Sequence, residues 1–290
     1  QVSSGLGGAL VVEGGIDALP GFADLPERVL VLQQIGYYKG DLAEGVIELP
    51  YADEILCPGC WGALGRFTTI NGVVQPVMTL RPGEVQRWRM VHAGIRENLN
   101  VVLVDATGGR IALHELAVDG LPLGRLEARE LVTLWPGGRS DVLVQAPLEP
   151  GTYRLVDEAS AGADSLLGGF EPRDVLAVVQ VAGAPMSGEL PTDDLQRFRL
   201  PSVTDEELTG AQSVEYGILF EPLRFTVDRA PYNPARDRTL TLGDVEEWTL
   251  RSVNGHGAPI AHPFHIHVNP FEVVSMVDDR GRETLDAPGW

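Results

Sequence analysis

The chain has 290 residues, 44% of them hydrophobic, which is enough for two ordinary cores and parts of a third and excludes a largely disordered chain. Its 22 Lys and Arg stand against 41 Asp and Glu, a formal net charge of -19, and this argues against a nucleic-acid partner or an anionic membrane surface, because phosphate selects cations. No apolar run approaches the roughly eighteen residues of a membrane span, and no signal-peptide pattern opens the chain.

In chain order, Gln1 to Glu13 reads as a Gly-rich turn running into Ala9-Leu10-Val11-Val12-Glu13, an apolar run of the kind found in buried strands. Pro20 to Pro26 reads as a linker, and Arg28 to Gln34 as a strand that opens a new unit. Leu49 to Gly65 is rich in Pro, Gly and Cys, hence an irregular surface loop. It holds Cys57 and Cys60, a lone Cys-Pro-Gly-Cys with neither the second pair of a zinc ribbon nor the βαβ context of a redox motif, which leaves a local disulfide or two ordinary thiols.

Short strands follow at Phe67 to Ile70, Val85 to His92, Leu99 to Ala106, Arg110 to Val118, Leu131 to Trp135, Asp141 to Gln145, Thr152 to Asp157 and Val175 to Val181. Asn71-Gly72, Pro82-Gly83, Asp119-Gly120, Pro136-Gly137-Gly138 and Pro150-Gly151 supply turns between them. The spacing predicts an all-β sandwich and not alternating βα units.

Gly183 to Thr209 reads as a connector with one short helix near Asp205 to Leu208. The pattern then restarts. Leu80-Arg81-Pro82-Gly83-Glu84-Val85-Gln86-Arg87-Trp88 is echoed by Leu240-Thr241-Leu242-Gly243-Asp244-Val245-Glu246-Glu247-Trp248, an offset of 160 (243−83, 248−88), and the preceding Ile70-Asn71-Gly72-Val73-Val74-Gln75-Pro76 by Phe225-Thr226-Val227-Asp228 and Pro234. Two tandem copies of one β-sandwich unit follow from this register.

Three of the six histidines stand in His262-Pro263-Phe264-His265-Ile266-His267. On an extended chain His265 and His267 project from one face, with Phe264, Ile266 and Val268 on the other, so the two imidazoles form a chelate. Pro263 sets His262 apart, where it can serve a different centre. Imidazole suits copper, zinc, nickel and iron alike. His92 and His114 are isolated on strands and read as structural, and His256 sits in a Gly-rich loop without a partner in sequence.

These residues resemble the multicopper oxidases, laccase-like and copper-efflux enzymes built from cupredoxin domains. His262-Pro263-Phe264-His265-Ile266-His267 matches the family's HPxHxH motif. Gln1 to Glu13 is similar to the segment after the second HxH pair of domain 1; Ile70-Asn71-Gly72, Pro82-Gly83-Glu84 and Pro136 to Val144 are similar to domain 2; Asp286 to Trp290 is similar to a tryptophan segment of domain 3. The resemblance implies tandem cupredoxin-like Greek-key β-sandwiches. Residues 1–24 would be the remnant of domain 1, 25–185 a domain 2 without copper, and 186–290 a linker and truncated domain 3.

It also implies that His262 binds type 1 copper, His265 type 2 and His267 type 3. The type 1 copper would take electrons from a small reducing substrate, phenolic or otherwise organic, and the cluster would reduce dioxygen to water. The protein would be periplasmic or extracellular. The family's domain 1 HxH pairs and its HCHxxxH segment have no match in Gln1 to Trp290, so an internal fragment that cannot alone complete a type 1 site or cluster is expected. Two other readings remain open: a cupin-type mononuclear metal enzyme using His265, His267 and Glu272, and a non-enzymatic copper carrier or electron-transfer protein.

Overall fold

The computed structural model describes residues 5–36, 66–94, 98–159, 174–220, 223–231, 233, 235, 238–257, 264, 266, 268–278 and 280–285. They form two compact units, the first ending at Leu200 and the second beginning at Pro201. Among the described residues strands dominate both, with 3₁₀ turns at Gly15–Ala18, Gln196–Phe198 and Asp205–Glu207. The last of these falls where the connector is expected to hold a short helix. Thr204 opens it, with its N–H and hydroxyl both donating to the Glu207 carboxylate.

Among its described residues the first unit has thirteen strands. In chain order they are β1 (Glu27–Gly36), β2 (Arg66–Ile70), β3 (Val73–Val74), β4 (Val77–Leu80), β5 (Val85–His92), β6 (Leu99–Val104) and β7 (Arg110–Ile111). Then come β8 (Leu113–Val118), β9 (Leu121–Arg129), β10 (Val132–Leu134), β11 (Arg139–Gln145), β12 (Gly151–Asp157) and β13 (Asp174–Val181). One sheet runs β3-β2-β1-β5-β11-β8-β9 and the other β10-β6-β12-β13-β4, with β7 on β6. Between them lies the main core: Leu30, Leu32, Trp88, Met90 and Val142 from the first sheet meet Leu99, Leu103, Leu155 and Leu176 from the second.

The outer face of the first sheet is covered too. Ile16, Leu19, Phe22 and Leu195 pack on Val85, Leu116 and Leu143, which is why Val85 through Trp88 are buried without alternation. Asp17 anchors this cover. Its carboxylate accepts from Arg87 and from Arg89 (2.8 Å), while Asp141 takes the other arm of Arg87 at 2.6 Å and Glu27 lies 2.8 Å from Arg89 Nε. Burial works to raise the Asp17 pKa but is outweighed by the Gly14 N–H and the two guanidinium groups, which hold it below the usual carboxylate range.

Ala9 to Glu13 departs from expectation. It forms no strand, and Leu10 is 92% exposed, because no described strand offers this run a ladder and its side chains meet no cover.

In the second unit β14 (Gly210–Phe220), β15 (Leu223–Val227), β16 (Ala230–Pro231) and β17 (Glu246–Asn254) form one sheet in the order β16-β15-β14-β17. This repeats β3-β2-β1-β5 of the first unit, including its parallel last pair, β1 with β5 there and β14 with β17 here. The correspondence reaches single hydrogen bonds. Trp88 Nε1 donates to Gln86 at 3.1 Å and Trp248 Nε1 to Glu246 at 3.0 Å; Asn71 Oδ1 accepts the Val31 N–H at 2.9 Å and Asp228 Oδ1 the Glu215 N–H at 3.0 Å. Gly83 and Gly243 both turn with positive φ, 75° and 95°.

Candidate functional site

His262, His265 and His267 lie outside the described residues, as do Cys57 and Cys60. Their apolar neighbours are described and show how the segment is seated. Phe264 and Ile266 are half-buried in the second unit. The Phe264 ring meets Phe271 edge-on at 5.2 Å and Tyr216 of β14 at 6.4 Å between centroids, a pair of contacts that anchors the chain on the sheet between the histidine positions. Tyr216 was not singled out by sequence, since its role depends on the register of β14; burial pushes its phenol pKa up.

The expected apolar face ends early. Val268 is 89% exposed, because the chain bends at Val268-Asn269 ahead of Pro270 and the strand alternation stops there. Beyond the bend Glu272 Oε2 accepts the Val203 N–H at 2.9 Å, tying the segment to the chain just before β14. Glu272 Oε1 is buried without a hydrogen-bond partner among the described residues.

The other histidines are placed singly. His92 is fully buried at the end of β5, and its Nδ1 accepts the Gly94 N–H at 3.0 Å, which puts the ring proton on Nε2. His114 lies half-buried on β8, its pKa lowered by burial. His256 is exposed in the loop after β17, where its backbone N–H donates to Asn254. Among the described residues no cluster of three or more His, Cys, Asp or Glu side chains could hold a metal ion. Three imidazoles within six positions fit copper in donor chemistry.

The family model for multicopper oxidases matches residues 206–289, which include this segment. A curated relative named cell division protein FtsP, from Edwardsiella tarda, is 28% identical over 97% of this chain and 57% of its own length. The multicopper oxidase mco of Staphylococcus aureus is 21% identical over 98% of this chain and 54% of its own length. The chain thus spans about half the length of the curated relatives it matches. Among solved structures, a multicopper oxidase from Campylobacter jejuni superposes with a TM-score of 0.68 at 20% identity, covering 92% of this chain and 55% of that one. McoA from Aquifex aeolicus gives 0.67 at 18% identity, covering 92% and 56%. These likenesses show the cupredoxin fold and give the cupin alternative no support. With the repeated sheet and the histidine segment inside the matched region, the chain is similar to the multicopper oxidases in sequence and in fold.

Proposed function

We propose that the chain supplies the copper-ligating segment of a laccase-like multicopper oxidase, with His262 on type 1 copper, His265 on type 2 and His267 on type 3. The whole protein would couple one-electron oxidation of a small organic reductant, phenolic or similar, to reduction of dioxygen to water, in the periplasm or outside the cell. The observation that carries this reading is the intact His262-Pro263-Phe264-His265-Ile266-His267 segment within residues 206–289. Copper supplies one-electron redox chemistry when bound. The contribution of this chain is to fix the imidazoles: Phe264 seats the segment on β14 and Phe271, and Glu272 ties its far end to Val203.

The second reading is a role without turnover, favoured by the relatives that carry the name of a cell division protein. Two measurements separate the readings. Copper bound per chain, with the paramagnetic spectrum, is expected to fall to background in His265→Ala/His267→Ala while circular dichroism stays unchanged. The full gene product given a phenolic reductant is then expected to consume dioxygen. Copper binding that survives loss of both histidines removes the ligand assignment; binding without dioxygen uptake leaves the non-enzymatic role.

A further inference from the structure

The chain has two Asn-Gly pairs, Asn71-Gly72 in the turn after β2 and Asn254-Gly255 in the turn that ends β17. Such a pair can react with itself, the backbone nitrogen of the glycine adding to Cγ of the asparagine side chain. Glycine resists this least, because no Cβ crowds its nitrogen and its backbone adapts to the ring that forms. What then decides the reaction is where the folded chain holds the asparagine amide.

Asn71 is held away from its glycine. Its Nδ2 donates to the Val29 carbonyl and its Oδ1 accepts the Val31 N–H, both at 2.9 Å and both on β1. Reaction there breaks both bonds, since Nδ2 is the leaving group and Cγ has to swing from β1 toward Gly72. Asn254 is bound the opposite way. Its Oδ1 accepts the N–H of His256, two residues on, at 2.9 Å, while its carbonyl accepts the Gly257 N–H at 2.8 Å. The first of these bonds folds the side chain back along its own backbone, over the Gly255 amide between the two residues. It also sets an N–H donor on the oxygen that turns negative as nitrogen adds to Cγ, which is how an oxyanion donor lowers a barrier. All of these contacts lie within residues 254–257.

We propose that Asn254 is a site of spontaneous deamidation and that Asn71 is not. A bond forms from the Gly255 nitrogen to Asn254 Cγ, the bond from Cγ to Nδ2 breaks, and Nδ2 leaves as ammonia carrying the proton lost by the glycine. Water then opens the cyclic imide at either carbonyl, giving aspartate or isoaspartate. The reaction consumes water alone and needs no metal, cofactor or partner. Either product puts a carboxylate at the end of β17. Isoaspartate also adds a carbon to the backbone ahead of the connection that leads to Phe264.

The test holds the folded full chain at neutral pH and physiological temperature, quenches samples in acid over time, and reads them by peptide mass spectrometry. Isoaspartate is counted by enzymatic methylation. The Asn254 peptide is expected to exchange NH2 for OH about tenfold or more faster than the Asn71 peptide, since only Asn71 gives up two cross-strand hydrogen bonds. In urea the two rates are expected to converge. Gly255→Ala supplies a second measurement. A Cβ there meets Leu219 Cδ2 at 3.3 Å, the movable end of a partly exposed side chain, so the fold is expected to hold by circular dichroism while deamidation of Asn254 slows. A folded chain in which Asn254 lasts as long as Asn71 overturns the proposal. So does a folded Gly255→Ala variant that deamidates as fast as the wild type.

Discussion

Gly83 and Gly243 occupy the same position in the two copies of the repeat, yet a side chain at each meets different surroundings. Both have positive φ, which costs an L residue about 1 kcal/mol. A Cβ on Gly83 would come 2.3 Å from the Met186 carbonyl oxygen, a backbone atom that cannot swing away, whereas a Cβ on Gly243 meets nothing within 4 Å. Gly83→Ala is therefore expected to lose a further ~1–3 kcal/mol from the clash, and Gly243→Ala only the backbone cost, by urea denaturation of the two variants. Equal losses would mean that the Met186 segment yields freely. Glu283 gives a second expectation at this scale. The Ser275 hydroxyl and the Met276, Leu285 and Thr284 amides all donate to its carboxylate, bringing its pKa to about 2. Because that folded value lies below the ordinary 4.5, the stability it adds is full above pH 4.5 and is lost as pH falls through about 2. A carboxyl NMR titration of Glu283 with a midpoint near 4.5 would contradict this.

Among elements, the hairpin turn after β2 shows what the sequence can say and what it cannot. Asn71-Gly72 reads at once as a turn, but only the folded strands reveal that Asn71 also clamps β1, its Nδ2 donating to the Val29 carbonyl at 2.9 Å while its Oδ1 takes the Val31 N–H. Asn71→Ala removes both bonds and places Ala at φ 53°, with an expected loss of about 1–2 kcal/mol; Asn71→Asp keeps the acceptor and is expected to lose about half as much in the same denaturation assay. Strands with a clear apolar pattern were legible because their faces are packed, Leu99–Val104 on both sides and Val175 to Val181 mainly on one. Strand β9 was not, since Pro122 and Gly124 break its pattern and its pairing with β8 runs through a bulge. Strand β14 escaped for another reason: Gly210, Gln212, Ser213 and Glu215 carry little strand propensity, and its neighbours β15 and β17 supply the register. Ala9 to Glu13 is the converse case, an apolar run whose partners are not among the described strands.

At the scale of the whole molecule, among the described residues, the two units share a sheet but not its cover. Leu32, Ile70, Trp88 and Met90 are almost completely buried under the second sheet of the first unit. Their counterparts in the second unit are Tyr216, Val227, Trp248 and Leu250; Val227 and Leu250 remain 40% exposed, and Phe225 beside them 62%. The histidine segment was legible because its chemistry is local, six consecutive residues. Its seating on Tyr216 was not, because that contact joins residues 48 positions apart (264−216). The difference in cover sets the order of unfolding. Apolar burial contributes roughly 25 cal/mol per Å², so the sandwich of the first unit is expected to outlast the open sheet of the second, giving two calorimetric transitions with β14 and β17 amides exchanging before those of β6 and β12. The proposed ligands all lie in the second unit, beyond Pro201. Copper that binds there should stabilise only that unit, by about 2.7 kcal/mol at a free concentration a hundred times its dissociation constant. Copper titration is therefore expected to raise the lower transition and leave the upper one in place, and His265→Ala/His267→Ala is expected to abolish the shift. If copper moves both transitions together, the metal is not acting through the histidine segment of the second unit alone.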